Sequence, residues 1–99
     1  MNVISKPRLL KLITTHPQAA SVLLAWHKIA RAADWSSLMQ VRRNFPSADL
    51  VGMVLIFDIL NNDLRLLTVV FWRSKRIYVK ALLTHKQYDQ KEWVKKWAH

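Results

Sequence analysis

Thr84-His85-Lys86-Gln87-Tyr88-Asp89 brings an imidazole, an ammonium, a phenol and a carboxylate into about one and a half helical turns. Just upstream, Arg73, Lys75, Arg76 and Lys80 add cations on a strand-like stretch. Such groups together suit a phosphodiester, which needs a base, an acid, and positive charge where negative charge develops. His85, Tyr88 and Asp89 are spaced to share one helix face. A helix N-terminus disfavours imidazolium at His85 and Asp89 favours it, so the sign of any shift stays open. Strand alternation puts Arg76, Tyr78, Lys80 and Leu82 on one face, with Ile77, Val79, Ala81 and Leu83 on the other. The first face is a basic stripe with an aromatic ring between charges, suited to phosphates and one stacked base. A plain solvent-facing strand side accounts for it equally well. Arg65 interrupts an otherwise apolar strand, so it stands at the sheet's end or points into a polar site.

Composition supports a polyanionic partner. Sixteen Lys and Arg against six Asp and Glu give the 99 residues a net charge of +10, and nucleic acid is the commonest polyanion. An anionic membrane surface fits less well, because the cations are spread over strands and helices instead of lining one amphipathic helix. There is no cysteine, so disulfides and thiolate metal sites are excluded. The four histidines are scattered without ligand spacing, and neither a metal nor another cofactor is expected. Gly52 is the only glycine, which rules out a Gly-rich phosphate loop and a Gly-flanked nucleophilic serine. No apolar signal region opens the chain, and its apolar stretches fall short of the roughly 20 residues that span a bilayer. A cytoplasmic protein is expected.

The elements that must position these groups follow from periodicity. The length suits one domain, residues 1–99, with a single core. Met1–Ile4 reads as a short strand. Lys6-Pro7 opens a helix whose apolar residues are Leu9, Leu10, Leu12 and Ile13. Val22, Trp26, Ile29 and Ala33 mark a second helix from Pro17 to about Ala33, with a short one around Leu38–Arg43 before Phe45-Pro46. Val51–Ile59 reads as one buried strand, Asn61-Asn62-Asp63 as a turn, and Leu64–Trp72 as a strand with Arg65, Leu67, Val69 and Phe71 on one face. Arg73-Ser74-Lys75 turns into a strand over Arg76–Leu83. Thr84 and Gln87 form a capping box, so Thr84 caps a closing helix that Trp93 and Trp97 dock on the sheet. The expected class is α+β, in the order β-α-α-β-β-β-α, with an antiparallel meander packed against helices.

The hexapeptide also resembles the T-H-x-x-Y-D signature of the HigB branch of the RelE-like toxins, bacterial toxin–antitoxin mRNA interferases. Asn62-Asp63-Leu64-Arg65-Leu66 is similar to that family's N-x-x-R-L segment. Ala33-Asp34-Trp35, Phe45-Pro46-Ser47-Ala48 and Val51-Gly52 resemble its A-D-W and pre-strand P-S-A motifs, so the likeness covers essentially the whole chain. It implies a compact RelE-like fold and a ribosome-dependent endoribonuclease that cuts mRNA without a metal and is neutralised by a helix-turn-helix antitoxin. Arg65, His85 and Tyr88 match the positions expected to be catalytic, and Asn62 and Asp89 would support them. Arg73, Lys75, Arg76, Tyr78, Lys80 and Lys86 would bind RNA, Lys80 matching a frequently basic strand position. Two positions depart from the family. Met53-Val54-Leu55-Ile56 stands where a basic residue is frequent, and Asp58 where an Asn is common. In the implied reaction the RNA 2′-hydroxyl attacks the adjacent phosphate. Tyr88 or His85 handles the protons, while Arg65 with Lys80 or Arg76 stabilises the transition state. A tyrosine pKa of about 10 makes Tyr88 a poor base unless the cations lower it. The rival reading is a non-catalytic RNA or ribosome binder. A transcription-factor module lacks a recognition helix with a docking pattern.

Overall fold

The computed structural model describes residues 1–4, 6–61 and 63–97. The elements run β1 (Asn2–Ile4), α1 (Lys6–Thr15), a 3-10 turn (Pro17–Ala19), α2 (Ala20–Ala32), α3 (Leu38–Asn44), β2 (Asp49–Val51), β3 (Val54–Ile59), β4 (Leu64–Phe71), β5 (Arg76–Thr84), α4 (His85–Gln90) and α5 (Glu92–Trp97). The class is α+β as expected, but the sheet is larger than a three-stranded meander. Its order is β1-β5-β4-β3-β2, with β1 parallel to β5 and every other pair antiparallel.

The stretch expected as one strand over 51–59 contains a hairpin. Val51 pairs with Val54 across Gly52-Met53. Gly52 has φ 60, a conformation that glycine takes without steric cost. The apolar run hides this turn, because Met53 and Val54 continue the hydrophobic pattern through it. In the next turn, Leu60 and Asn61 are the described residues with positive φ. The closing helix also breaks in two, at Lys91 with φ 58 and ψ 24.

α1, α2 and α3 cover one face of the sheet. Leu9, Leu23, Trp26, Ala30, Trp35 and Val41 pack there against Leu55, Phe57, Leu66, Val70, Ile77, Val79 and Leu82. Trp26, Trp35 and Phe45 surround Phe57, with ring centroids 5.3, 6.2 and 5.1 Å away. The inward stripe of α2 is rotated from expectation, with Leu23, Trp26 and Ala30 buried and Ile29 38% exposed. Ser37 caps α3 by accepting from the Gln40 amide. Among the described residues no helix is long and apolar enough to cross a membrane.

The opposite face is partly covered by α4 and α5. Val54, Ile56, Leu67 and Trp93 form a second, smaller core there, joined by Leu83, Tyr88 and Trp97. β5 reaches both layers through a bulge. Leu67 pairs with Ala81 and Thr68 with Val79, which leaves Lys80 as the extra residue. Simple alternation would place Leu82 with Tyr78 and Lys80. The bulge instead turns Leu82 into the helix-side core beside Ile77 and Val79, and gives Leu83 to the opposite face. The Lys80 carbonyl accepts from Arg8 of α1 at 3.3 Å.

Candidate active site on the partly covered sheet face

β3 and β4 present Asp58 and Arg65 as directly opposed residues. Arg65 Nε donates to Asp58 Oδ1 at 3.0 Å, with both side chains largely buried. Arg65 NH1 donates to the Leu64 carbonyl at 3.3 Å, and NH2 lies 3.1 Å from His85 Nε2. A guanidinium only donates, so this contact requires a lone pair at Nε2 of His85. Arg65 Cζ lies 5.6 Å from the centre of the Tyr88 ring. The sheet thus delivers the guanidinium, and α4 delivers the imidazole and phenol to it.

α4 is held at both ends. Thr84 Oγ1 accepts from the Gln87 amide at 3.2 Å, and Gln87 Oε1 accepts from the Thr84 amide at 3.0 Å. This is the expected capping box, and it makes His85 the first helical residue. The Tyr88 ring stacks on Trp93 at 5.2 Å and 15°, and Trp93 Nε1 donates to the Tyr88 carbonyl at 3.0 Å. Trp93 is buried in the second core, so it fixes the phenol as well as α5. Burial pushes the Tyr88 phenol above the usual tyrosine value. Asp49, Asp58 and Asp89 add to the rise, and Arg65 opposes it without reversing it. This corrects the expectation that cations would lower Tyr88.

The other residues singled out in the sequence divide into three groups. Tyr78 and Lys80 lie on the same sheet side as Arg65, Lys80 Nζ sitting 5.6 Å from the Tyr78 ring centre. Lys86 and Asp89 are exposed on α4. Arg73, Lys75 and Arg76 lie at the far end of the β4–β5 hairpin, roughly 20 Å along the strands from Arg65. Lys75 is tied to Asp34 at 3.0 Å, to the Trp35 carbonyl at 3.1 Å and to Ser36 Oγ at 2.7 Å, so it clamps the α2–α3 connection. Asn62 lies outside the described residues. Sequence reading placed Phe71 on the Arg65 face and Trp97 against the sheet, as found, but did not identify Asp58 as the direct partner of Arg65. The Asp58–Arg65 register across the turn is the signal that reveals that pairing. No group of three or more His, Cys, Asp or Glu among the described residues is arranged to hold a metal ion.

The chain is similar to known proteins over most of its length. Residues 19–91 match the HigB_toxin family, described as the RelE-like toxic component of a toxin-antitoxin system. A protein named mRNA interferase HigB from Escherichia coli O6:H1 is 26% identical over 93 residues, spanning 91% of this chain and 90% of its own length. The mRNA interferase toxin HigB of Escherichia coli strain K12 is 26% identical over 92 residues, 90% of this chain and 88% of that one. A Shigella flexneri protein named mRNA interferase HigB is similar to the same extent. Asp58, Arg65, His85 and Tyr88 all fall inside the matched span. With strands β2 to β5 and the Arg65, His85 and Tyr88 site inside that match, the chain belongs to the HigB toxin family, RelE-like toxic components of toxin-antitoxin systems.

Proposed function

We propose that this chain is an endoribonuclease that cleaves mRNA on translating ribosomes and is neutralised by a helix-turn-helix antitoxin. The observation that carries the reading is the convergence of His85 and Tyr88 on Arg65, two groups able to handle protons that each meet the same cation. The relatives' name, mRNA interferase, supports the substrate class.

In the proposed reaction the 2′-oxygen attacks phosphorus while the bond to the 5′-oxygen breaks. The products are a cyclic phosphate and a free 5′-hydroxyl. His85 takes the 2′-hydroxyl proton at Nε2 once the phosphate has drawn the Arg65 guanidinium away from that lone pair. Arg65 stabilises the charge that builds on the non-bridging oxygens. Tyr88, held protonated by its raised pKa, donates to the departing 5′-oxygen. The chain's own groups thus supply base, acid and positive charge.

One observation favours the rival reading of a non-catalytic RNA or ribosome binder. Asp58 sits 3.0 Å from Arg65 and offsets its charge. The two readings separate on substitution. Arg65→Lys keeps a cation beside Asp58 but loses the planar fork, and Tyr88→Phe keeps the stack on Trp93 but loses the proton. Each is expected to lower mRNA cutting about a hundredfold or more and to abolish growth inhibition, with the far-ultraviolet spectrum unchanged. Full toxicity of both variants would remove these residues from the chemistry.

A further inference from the structure

The same sheet face carries a feature that the Arg65–His85–Tyr88 cluster does not use. Phe71, at the end of β4, is 40% exposed. Its ring meets Tyr78 of β5 edge-on, with centroids 5.6 Å apart and planes at 83°. Together with Val69 and Trp97 of α5, these rings line a cleft of about 300 Å³ whose other walls are Lys80 and Lys96. Each lysine lies over a ring of the cleft, Lys80 Nζ 5.6 Å from the Tyr78 centroid and Lys96 Nζ 5.9 Å from that of Trp97. No carboxylate lines it among the described residues.

This combination selects its occupant. A nucleobase stacks on aromatic faces while its phosphate pairs with an ammonium, so rings and lysines are both used. An apolar peptide would use the rings but strip water from two ammonium groups that no carboxylate faces among the described lining residues, which is costly. An acidic peptide would use the lysines and leave the ring faces idle. The volume is at the small end of ligand sites, enough for one nucleotide.

Position supplies the rest. Val69 and Phe71 continue the β4 face that carries Arg65, four and six residues further on, roughly 13 to 20 Å along the strand. We infer that the Phe71–Tyr78–Trp97 cleft is a stacking subsite for a nucleobase of the RNA strand being cut, away from the phosphate held at Arg65, with Lys80 and Lys96 on the flanking phosphates. The inference rests on the nuclease reading above. In the free protein the two ammonium groups occupy the ring faces by cation–π contact, and they move to phosphate when a base takes their place. The β5 bulge makes this arrangement compatible with the core, because it keeps Lys80 beside Tyr78 while Leu82 packs under the helices.

The test uses the full chain and a short single-stranded RNA whose scissile 2′-hydroxyl is replaced by hydrogen. 5-Iodouridine is placed at one position at a time, irradiated, and the adducts are mapped by mass spectrometry. One position is expected to join Phe71, Tyr78 or Trp97. Phe71→Leu with Tyr78→Leu should weaken binding of the RNA roughly tenfold, and an abasic residue at that position should cost the wild type as much and the double variant nothing. Adducts confined to other residues, or equal abasic losses in both proteins, overturn the subsite. So does a double variant that binds RNA normally but escapes antitoxin, which would assign the cleft to a protein partner. Ribosome-dependent cutting of the all-ribose RNA is measured alongside. Cutting without these adducts rejects the subsite alone, whereas adducts without cutting keep the base seat and reject the nuclease.

Discussion

Arg65 draws its behaviour from Asp58 as much as from its own charge. The carboxylate fixes the guanidinium through Nε and leaves the remaining donors toward His85 and the Leu64 carbonyl. Asp58→Asn keeps an acceptor for Nε but removes the offsetting charge. RNA affinity should rise several-fold, and the slope of log affinity against log salt should steepen by about one unit, read by filter binding across a salt series. Tyr88 and His27 give opposite pH signatures. The folded pKa of Tyr88 is raised, chiefly by burial, so above about pH 10 the native chain holds a proton that the unfolded chain has lost. Stability is therefore present below about pH 10 and is lost as pH rises through the folded value. Tyr88→Phe should flatten that decline. His27 is lowered by burial first and then by Arg31 and Lys6. Its contribution is present above about pH 6.5 and is lost as pH falls through the folded value, and His27→Gln should remove that loss. Urea midpoints for each variant over the two ranges check both signs.

α4 is a six-residue helix with no buried residue of its own, so its place depends on the capping box and on Trp93. Thr84→Ala should cost about 1 kcal/mol in a denaturant titration, and cutting should fall by more than that loss alone explains, since His85 and Tyr88 move with the helix. Lys91→Gly should stabilise by up to about 1 kcal/mol, because Lys91 holds a left-handed conformation that glycine takes freely. The capping box was legible because Thr84 and Gln87 stand three residues apart in one local pattern. The turn at Gly52-Met53 was not, since apolar residues run through it, and neither was the Lys80 bulge, since alternation in β5 looks regular until a partner strand sets the register. The α2 stripe was misplaced by one position because Val22, Leu23, Ile29 and Ala30 offer two apolar faces, and only the sheet beneath chooses between them.

The sheet divides the molecule into a side that holds most of the core and a side that carries the proposed site. Three helices and most of the core occupy one side, while the shorter α4 and α5 leave the other with Arg65, His85, Tyr88 and the aromatic cleft. The net charge of +10 favours a polyanionic partner, but it does not say which cations are available. Lys75 shows why. Its partner Asp34 lies 41 residues earlier in the chain, so a basic run in sequence could not reveal that this ammonium is committed to holding the fold. Local motif and resemblance singled out Arg65, His85 and Tyr88, whereas the direction of the Tyr88 shift required knowing its burial and the carboxylates that fold near it. The central claim is that this convergence cuts RNA in translation. Primer extension on a defined mRNA, with and without translating ribosomes, tests it most directly. The predicted result is cuts that appear only with ribosomes and vanish in Tyr88→Phe. Absence of cuts in both conditions, with translation still inhibited, would contradict it and leave a ribosome-binding protein in its place.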